Sequence, residues 1–294
     1  MDFLNLARAG KNEWWRYVLA LLAIIFIWLG ASIAVFIALI ASVMLDDDLT
    51  TRLNPETGTL AGVDSLVMFL VIMASAAGLT ASVLFVTRFI HQRPIRSLIT
   101  PNPRIDWKRV AVGFVFFFLL AALASVVEAV IFPGRYQLAF KPDAFFKFLP
   151  LVLILIPIQT TGEELFFRAY FLQALGLRIR NRWIAATISS LIFMALHLAN
   201  PEVSADPILL PVYYFTVGML FSLVTVRDNR LELALGAHAA VNIFTALIAN
   251  YSVSALTTPS LFLVTTLDAR FSMASFLVMA IVFYAGLFAR RRAP

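Results

Sequence analysis

The residues of this chain best suited to chemistry are few and widely spaced. Glu163 and Glu164 stand side by side in a long apolar tract, and Arg168 follows four residues after the second. His197 lies in a later apolar tract, and His238 with Asn242 in another. Ionisable groups in such tracts are costly and usually functional. In a helix, residues four apart share a face while neighbours point about 100° apart. Glu164 and Arg168 can therefore pair, as a structural strut, while Glu163 turns elsewhere and is free to act as a general base in a cavity. The same spacing puts Phe193 beneath His197 and His238 beneath Asn242. Around His238 the run Ala234-Leu235-Gly236-Ala237-His238-Ala239-Ala240 is mostly small, which lets helices approach closely enough for these groups to converge.

Composition decides what must position them. Of 294 residues, 61% are hydrophobic, 27 are Phe and only 14% are charged. A mean hydropathy of +0.89 exceeds what a soluble domain could bury. The expected fold is therefore all-α: a polytopic transmembrane bundle in one integral membrane domain, residues 1–294. The net charge of +6 comes from basic residues clustered at the ends of apolar runs, a pattern of topology signals rather than of a nucleic-acid groove. Cysteine is absent, which excludes disulfides and thiolate chemistry.

Apolar runs predict about eight spans: Tyr17–Leu45, Ser65–Val86, Val110–Phe132, Phe145–Leu175, Trp183–Leu198, Pro207–Val226, Leu231–Ala249 and Met273–Ala289. The first is long enough for one tilted helix, since a bilayer core needs about 20 residues. Pro157 and Gly162 predict a kink or local break in the fourth. Residues 1–16, with Arg8, Lys11 and Arg16 beside Trp14 and Trp15, read as a short interfacial segment. The acidic run Asp46-Asp47-Asp48 opens a polar loop with Asn54-Pro55 and Gly58. With both termini cytoplasmic, 17 of the 23 Lys and Arg, Arg290–Arg292 included, fall on the cytoplasmic side. No internal repeat supports a transporter of two matched halves.

Other polar residues have plainer readings. Glu128, late in the third span, is expected to snorkel toward the interface. His91, beside Arg88 and Arg93, reads as a solvated or headgroup residue. The run Phe114-Val115-Phe116-Phe117-Phe118 is lipid-facing or packing surface.

The motifs Glu163-Glu164-Leu165-Phe166-Phe167-Arg168, Phe193-Met194-Ala195-Leu196-His197 and His238-Ala239-Ala240-Val241-Asn242, in this order on separate helices, resemble those of the CPBP family of intramembrane proteases. That family includes type II CAAX prenyl endopeptidases and bacterial proteins linked to bacteriocin processing or self-immunity. The resemblance covers residues 145–250, with no departure at the polar positions, and implies that this stretch is the catalytic core. It implies an intramembrane endopeptidase acting on a membrane-anchored or lipidated protein or peptide. Glu163 with His197 would activate a water, while His238 and Asn242 would donate to the oxyanion. Glu164, Arg168 and Phe193 would be structural support. The family has also been described as metal-dependent, and Glu163, His197 and His238 are a two-histidine, one-carboxylate set of the kind zinc takes. The metal-free reading is preferred, because His-Glu-x-x-His is missing and a ligand Glu163 could not easily also be the base. The expected partners are the bilayer and a protein or peptide substrate, with no nucleic acid. The alternative function is a non-proteolytic immunity or scaffold protein of the same fold.

Overall fold

The computed structural model describes residues 2–44, 52–53 and 60–289. Asp46–Asp48, Asn54-Pro55, Gly58 and Arg290–Arg292 lie outside them. The fold is an all-α bundle of α1 (Trp14–Met44), α2 (Ser65–Phe85), α3 (Trp107–Ile131), α4 (Pro142–Glu164), α5 (Leu172–Gly176), α6 (Arg182–His197), α7 (Leu209–Asp228), α8 (Glu232–Leu247) and α9 (Ala269–Phe288). Side chains of Asp64, Asp106, Asn181 and Asp268 accept backbone N–H groups at the starts of α2, α3, α6 and α9. Those helices thus begin on capping residues placed just before each apolar run.

Among the described residues, six helices are long and apolar enough to cross a membrane: α1, α2, α3, the continuous stretch from α4 through α5, α7 and α9. The chain is therefore an integral, multi-pass membrane protein. The fifth and seventh of the about eight expected spans are the shorter apolar helices α6 and α8, which carry His197 and His238. Each has 16 residues. At 1.5 Å per residue that is about 24 Å, short of a hydrocarbon core of about 30 Å. A helix wrapped by protein need not match the thickness of lipid. Thirteen of the 16 residues of α8 are buried, against α3 and α4. Gly236 makes the crossing with α3 close: a Cβ there would lie 1.9 Å from the Val110 carbonyl oxygen.

The fourth span does not break at Gly162. Helix α4 runs through Pro157 and Gly162 to Glu164, then widens into a π-helical stretch, Leu165–Phe171, before α5. Gly162 answers instead to a neighbour, since a Cβ would sit 2.2 Å from the Thr80 hydroxyl of α2, which donates to the Ile158 carbonyl.

Two small sheets were not anticipated from hydropathy. One pairs β1 (Arg52–Leu53) with β2 (Leu60–Ala61). The other has β5 (Phe262–Val264) at its centre, antiparallel to β3 (Tyr136–Leu138) and parallel to β4 (Ala249–Tyr251). It ties the chain after α3 to the chain after α8, and its residues Tyr136, Ala249 and Tyr251 line the central cavity described below.

At the N-terminus, Phe3–Ala9 is not a free segment but a 3-10 helix with Phe3, Leu4, Leu6 and Ala7 buried, packed on α5. The Phe3 N–H donates to Asn229 Oδ1 at 2.6 Å, and Arg16 donates to the Ile90 carbonyl. His91 is correspondingly not solvated. It is 2% exposed, with Nδ1 2.8 Å from the Lys11 carbonyl oxygen and Nε2 2.8 Å from the Tyr170 hydroxyl. The N-terminal segment buries it.

Candidate active site

A central cavity of about 370 Å³ is lined by Glu163 from α4, His197 from α6, and His238 and Asn242 from α8. Four residues spread over 80 positions of sequence thus face one space. Gln159, one helical turn before Glu163 on the same face, joins them and had no role assigned from sequence. Its amide Nε2 donates to Glu163 Oε1 at 2.5 Å, and its Oε1 accepts from Asn242 Nδ2 at 3.0 Å. The direction of this chain follows from chemistry. An ionised carboxylate can only accept, so Gln159 presents its amino group to Glu163 and its oxygen to Asn242, which must then donate. One N–H of Asn242 remains for the cavity.

The two histidines are held in matching ways. His197 sits at the last position of α6, where its Nδ1 lies 2.7 Å from the Phe193 carbonyl oxygen. A carbonyl only accepts, so the proton is on Nδ1 and Nε2 is left toward the cavity. The ring packs between Phe193, at 4.1 Å between centroids, and Tyr214, at 4.6 Å. His238 Nδ1 lies 2.7 Å from Glu164 Oε1, so it too donates from Nδ1. Its Nε2 stands 3.7 Å from Glu163 Oε2, beyond hydrogen-bond range. That Glu163 oxygen is buried and has no hydrogen-bond partner among the described residues.

Glu164 thus serves two partners. Arg168 NH1 lies 3.1 Å from the same Oε1 that accepts from His238, and the side chains of both residues are fully buried. The i, i+4 pairing read from sequence is present, and His238 adds a third member to it. The guanidinium is also met by aromatic faces, 4.1 Å from the Phe193 ring centroid, 5.6 Å from Phe167 and 5.7 Å from Phe221. Such faces favour a desolvated cation. Phe193 is therefore more than packing: its ring separates Arg168 from His197, and its carbonyl orients the imidazole.

Glu128 does not snorkel. It is 5% exposed, accepts from Arg135 NH1 at 2.8 Å and from the Tyr136 hydroxyl at 2.7 Å, and lines the same cavity. Arg135 follows Pro133-Gly134 at the end of α3, so the turn folds the cation back onto Glu128 and leaves the carboxylate no reason to reach water. Phe117, within the Phe-rich run, is fully buried and also lines the cavity.

The same residues include donors that a metal could use. Both imidazoles have Nδ1 occupied by an acceptor and Nε2 available, as in zinc-binding histidines. Among the described residues, however, no group of three or more His, Asp or Glu side chains is gathered to hold a metal ion. The donor types suit zinc; their arrangement does not assemble a ligand set.

Comparison with known proteins adds an independent line. Residues 145–244 match the family described as type II CAAX prenyl endopeptidase Rce1-like. The chain is also 34% identical over 277 residues to "Uncharacterized protein YyaK" of Bacillus subtilis (strain 168), covering 92% of this chain and 91% of that one. The chain belongs to the CPBP family. No solved structure matches it significantly. The matched region of this CPBP chain begins in α4 and ends in α8, and so contains Gln159, Glu163, His197, His238 and Asn242. Membership makes it a CAAX-type intramembrane protease at the level of the family.

Beyond the family motifs, Gln159 was discoverable from its position four residues before Glu163. Tyr214 and Glu202, which complete the wall beside His197, carry no such signal.

Proposed function

We propose that the chain is an intramembrane endopeptidase of the glutamate type, hydrolysing a peptide bond of a membrane-associated or lipidated protein or peptide. One observation carries this reading: Glu163 Oε2 is buried and unpartnered, and it faces His238 Nε2 across 3.7 Å within a cavity otherwise walled largely by apolar and aromatic groups. A carboxylate held at one oxygen by Gln159 and without a hydrogen-bond partner at the other has an acceptor for the proton of a water. The Nε2 lone pair of His197 is a second acceptor to orient that water.

In this reaction water oxygen bonds to the scissile carbonyl carbon as its proton passes to Glu163. The carbonyl electron pair moves to oxygen, where the free N–H of Asn242 and an Nε2–H of His238 donate to it. Because Nδ1 of His238 is already committed to Glu164, donation from Nε2 requires the imidazolium. Glu163 then returns the proton to the leaving amine as the C–N bond breaks. No step is routed through a metal.

The test is cleavage of membrane-anchored peptides by the purified protein. Glu163→Ala is expected to lower kcat by about 10² to 10⁴, the range for loss of a general base. If Glu163→Ala and His238→Ala both retain full cleavage, the assignment is wrong. A zinc-dependent protease is distinguished by chelation. The expected result is substoichiometric zinc and unchanged activity, whereas activity that disappears with zinc and returns with it would replace the glutamate mechanism.

A further inference from the structure

The cavity has a charge character that its family motifs do not account for. Glu128, Glu163 and Glu202 line it, and no lysine or arginine does among the described residues. The three carboxylates are not equivalent. Glu128 is paired with Arg135, and Glu163 stands between Gln159 and His238. Glu202 accepts from the Tyr214 hydroxyl at 2.7 Å, the Ala255 N–H at 3.0 Å and Asn200 Nδ2 at 3.4 Å. All three donors are neutral, so they fix the carboxylate without cancelling its charge; Oε1 accepts two of them, and Oε2, which accepts one, can accept again. Its place is also informative. Tyr214, whose hydroxyl donates to Glu202, lies with its ring 4.6 Å from that of His197 and tilted 34° to it, so Glu202 stands one ring away from the imidazole of the proposed reaction.

We infer that Glu202 selects substrates carrying a protonated amine or guanidinium beside the scissile bond. This rests on the endopeptidase reading and names the substrate class it acts on. A cation entering there would meet a carboxylate fixed by neutral donors, together with the aromatic walls of Tyr213, Tyr214 and Phe276. An acidic side chain in the same place would face Glu202 and Glu163 with no basic side chain among the described lining residues to receive it. The subsite therefore distinguishes a basic flanking residue from an acidic one.

The experiment uses the full chain in detergent and three quenched fluorescent peptides. Each has the same apolar anchor and differs at one position flanking the cleavage site: lysine, Nε-acetyl-lysine or glutamate. The lysine peptide is expected to exceed its acetylated counterpart by about tenfold to a hundredfold in kcat/KM, mainly through KM, the effect of one hydrogen bond between charged groups. In Glu202→Gln that ratio should approach one, and in Glu202→Arg the glutamate peptide should become the preferred one. Ratios within one protein do not depend on the fraction folded. Glu163-dependent cleavage with equal rates for lysine and acetyl-lysine would overturn the Glu202 assignment and leave the endopeptidase standing, as would a ratio unchanged in Glu202→Gln. Cleavage of none of the peptides would count against the endopeptidase. Binding to Glu163→Gln then decides the subsite: preference for lysine over acetyl-lysine, lost when Glu202→Gln is added, supports it, and equal binding overturns it.

Discussion

His91 and His238 are almost equally buried, at 2% and 4% exposure, yet their surroundings differ in kind. Both ring nitrogens of His91 are engaged, one by a backbone carbonyl and one by a tyrosine hydroxyl, at the end of the bundle sealed by the N-terminal segment. His238 is engaged at Nδ1 alone, and its Nε2 faces a carboxylate oxygen that has no hydrogen-bond partner. Burial with complete pairing makes a structural joint. Burial with one atom left open toward a cavity makes a group that can bind and transfer a proton. The adjacent carboxyls differ in partner and place: each has one oxygen without a hydrogen-bond partner among the described residues, but Glu164 is tied through the other to Arg168 and His238, whereas Glu163 is tied to the neutral Gln159 and lines the cavity.

The largest test of this contrast sets Glu164→Ala against Glu163→Ala. Removing Glu164 leaves a fully buried Arg168 without its carboxylate and takes the acceptor from His238 Nδ1–H. The expected cost is about 3 to 5 kcal/mol, as for breaking a buried ion pair from one side. Thermal unfolding of the purified variants should show a large fall in Tm for Glu164→Ala and little change for Glu163→Ala, although both lose activity. A Glu164→Ala protein that is both stable and fully active would show that the buried pair neither supports the fold nor holds His238.

Gln159→Leu gives a smaller effect. It removes both hydrogen bonds that orient Glu163 and Asn242, and kcat should fall by about tenfold, the scale of one net hydrogen bond. KM and Tm should stay close to wild type. An unchanged kcat would mean that Glu163 is positioned by something other than this amide.

These contrasts also mark what the sequence could carry. Four-residue spacing placed Glu164 beside Arg168, because that distance is local to one helix. Hydropathy located every helix of the bundle, because each is bounded by charges, prolines or capping residues. What escaped was set by tertiary burial. His91 and Glu128 look interfacial in sequence, since each lies near charged or turn residues, and both are drawn inward by partners: Lys11 and Tyr170 for the first, Arg135 and Tyr136 for the second. The surroundings of α6 and α8 escaped too, because continuous apolar residues do not reveal whether lipid or protein encloses them.

The smallest expected effect concerns His91 and pH. Burial holds its imidazole below the ordinary value, outweighing the Lys11 carbonyl that favours the protonated ring, and Arg93 and Arg16 act in the same direction as burial. The folded protein therefore keeps His91 neutral at a pH where the unfolded chain has begun to bind a proton. Stability from this site is fully present above about pH 6.5, the unperturbed imidazole value, and is lost as pH falls from there toward the lower folded value. Below that value both states are protonated, and the loss levels off. Thermal unfolding in detergent between pH 8 and pH 5 should show Tm declining through this window. His91→Gln can still donate to the Lys11 carbonyl and pair with the Tyr170 hydroxyl but cannot titrate there, so the decline should flatten while peptide cleavage at neutral pH persists. A pH dependence of Tm identical to wild type would mean that His91 is not the group being protonated, and the contrast between a closed and an open histidine would then rest on Nε2 of His238 and His197 alone.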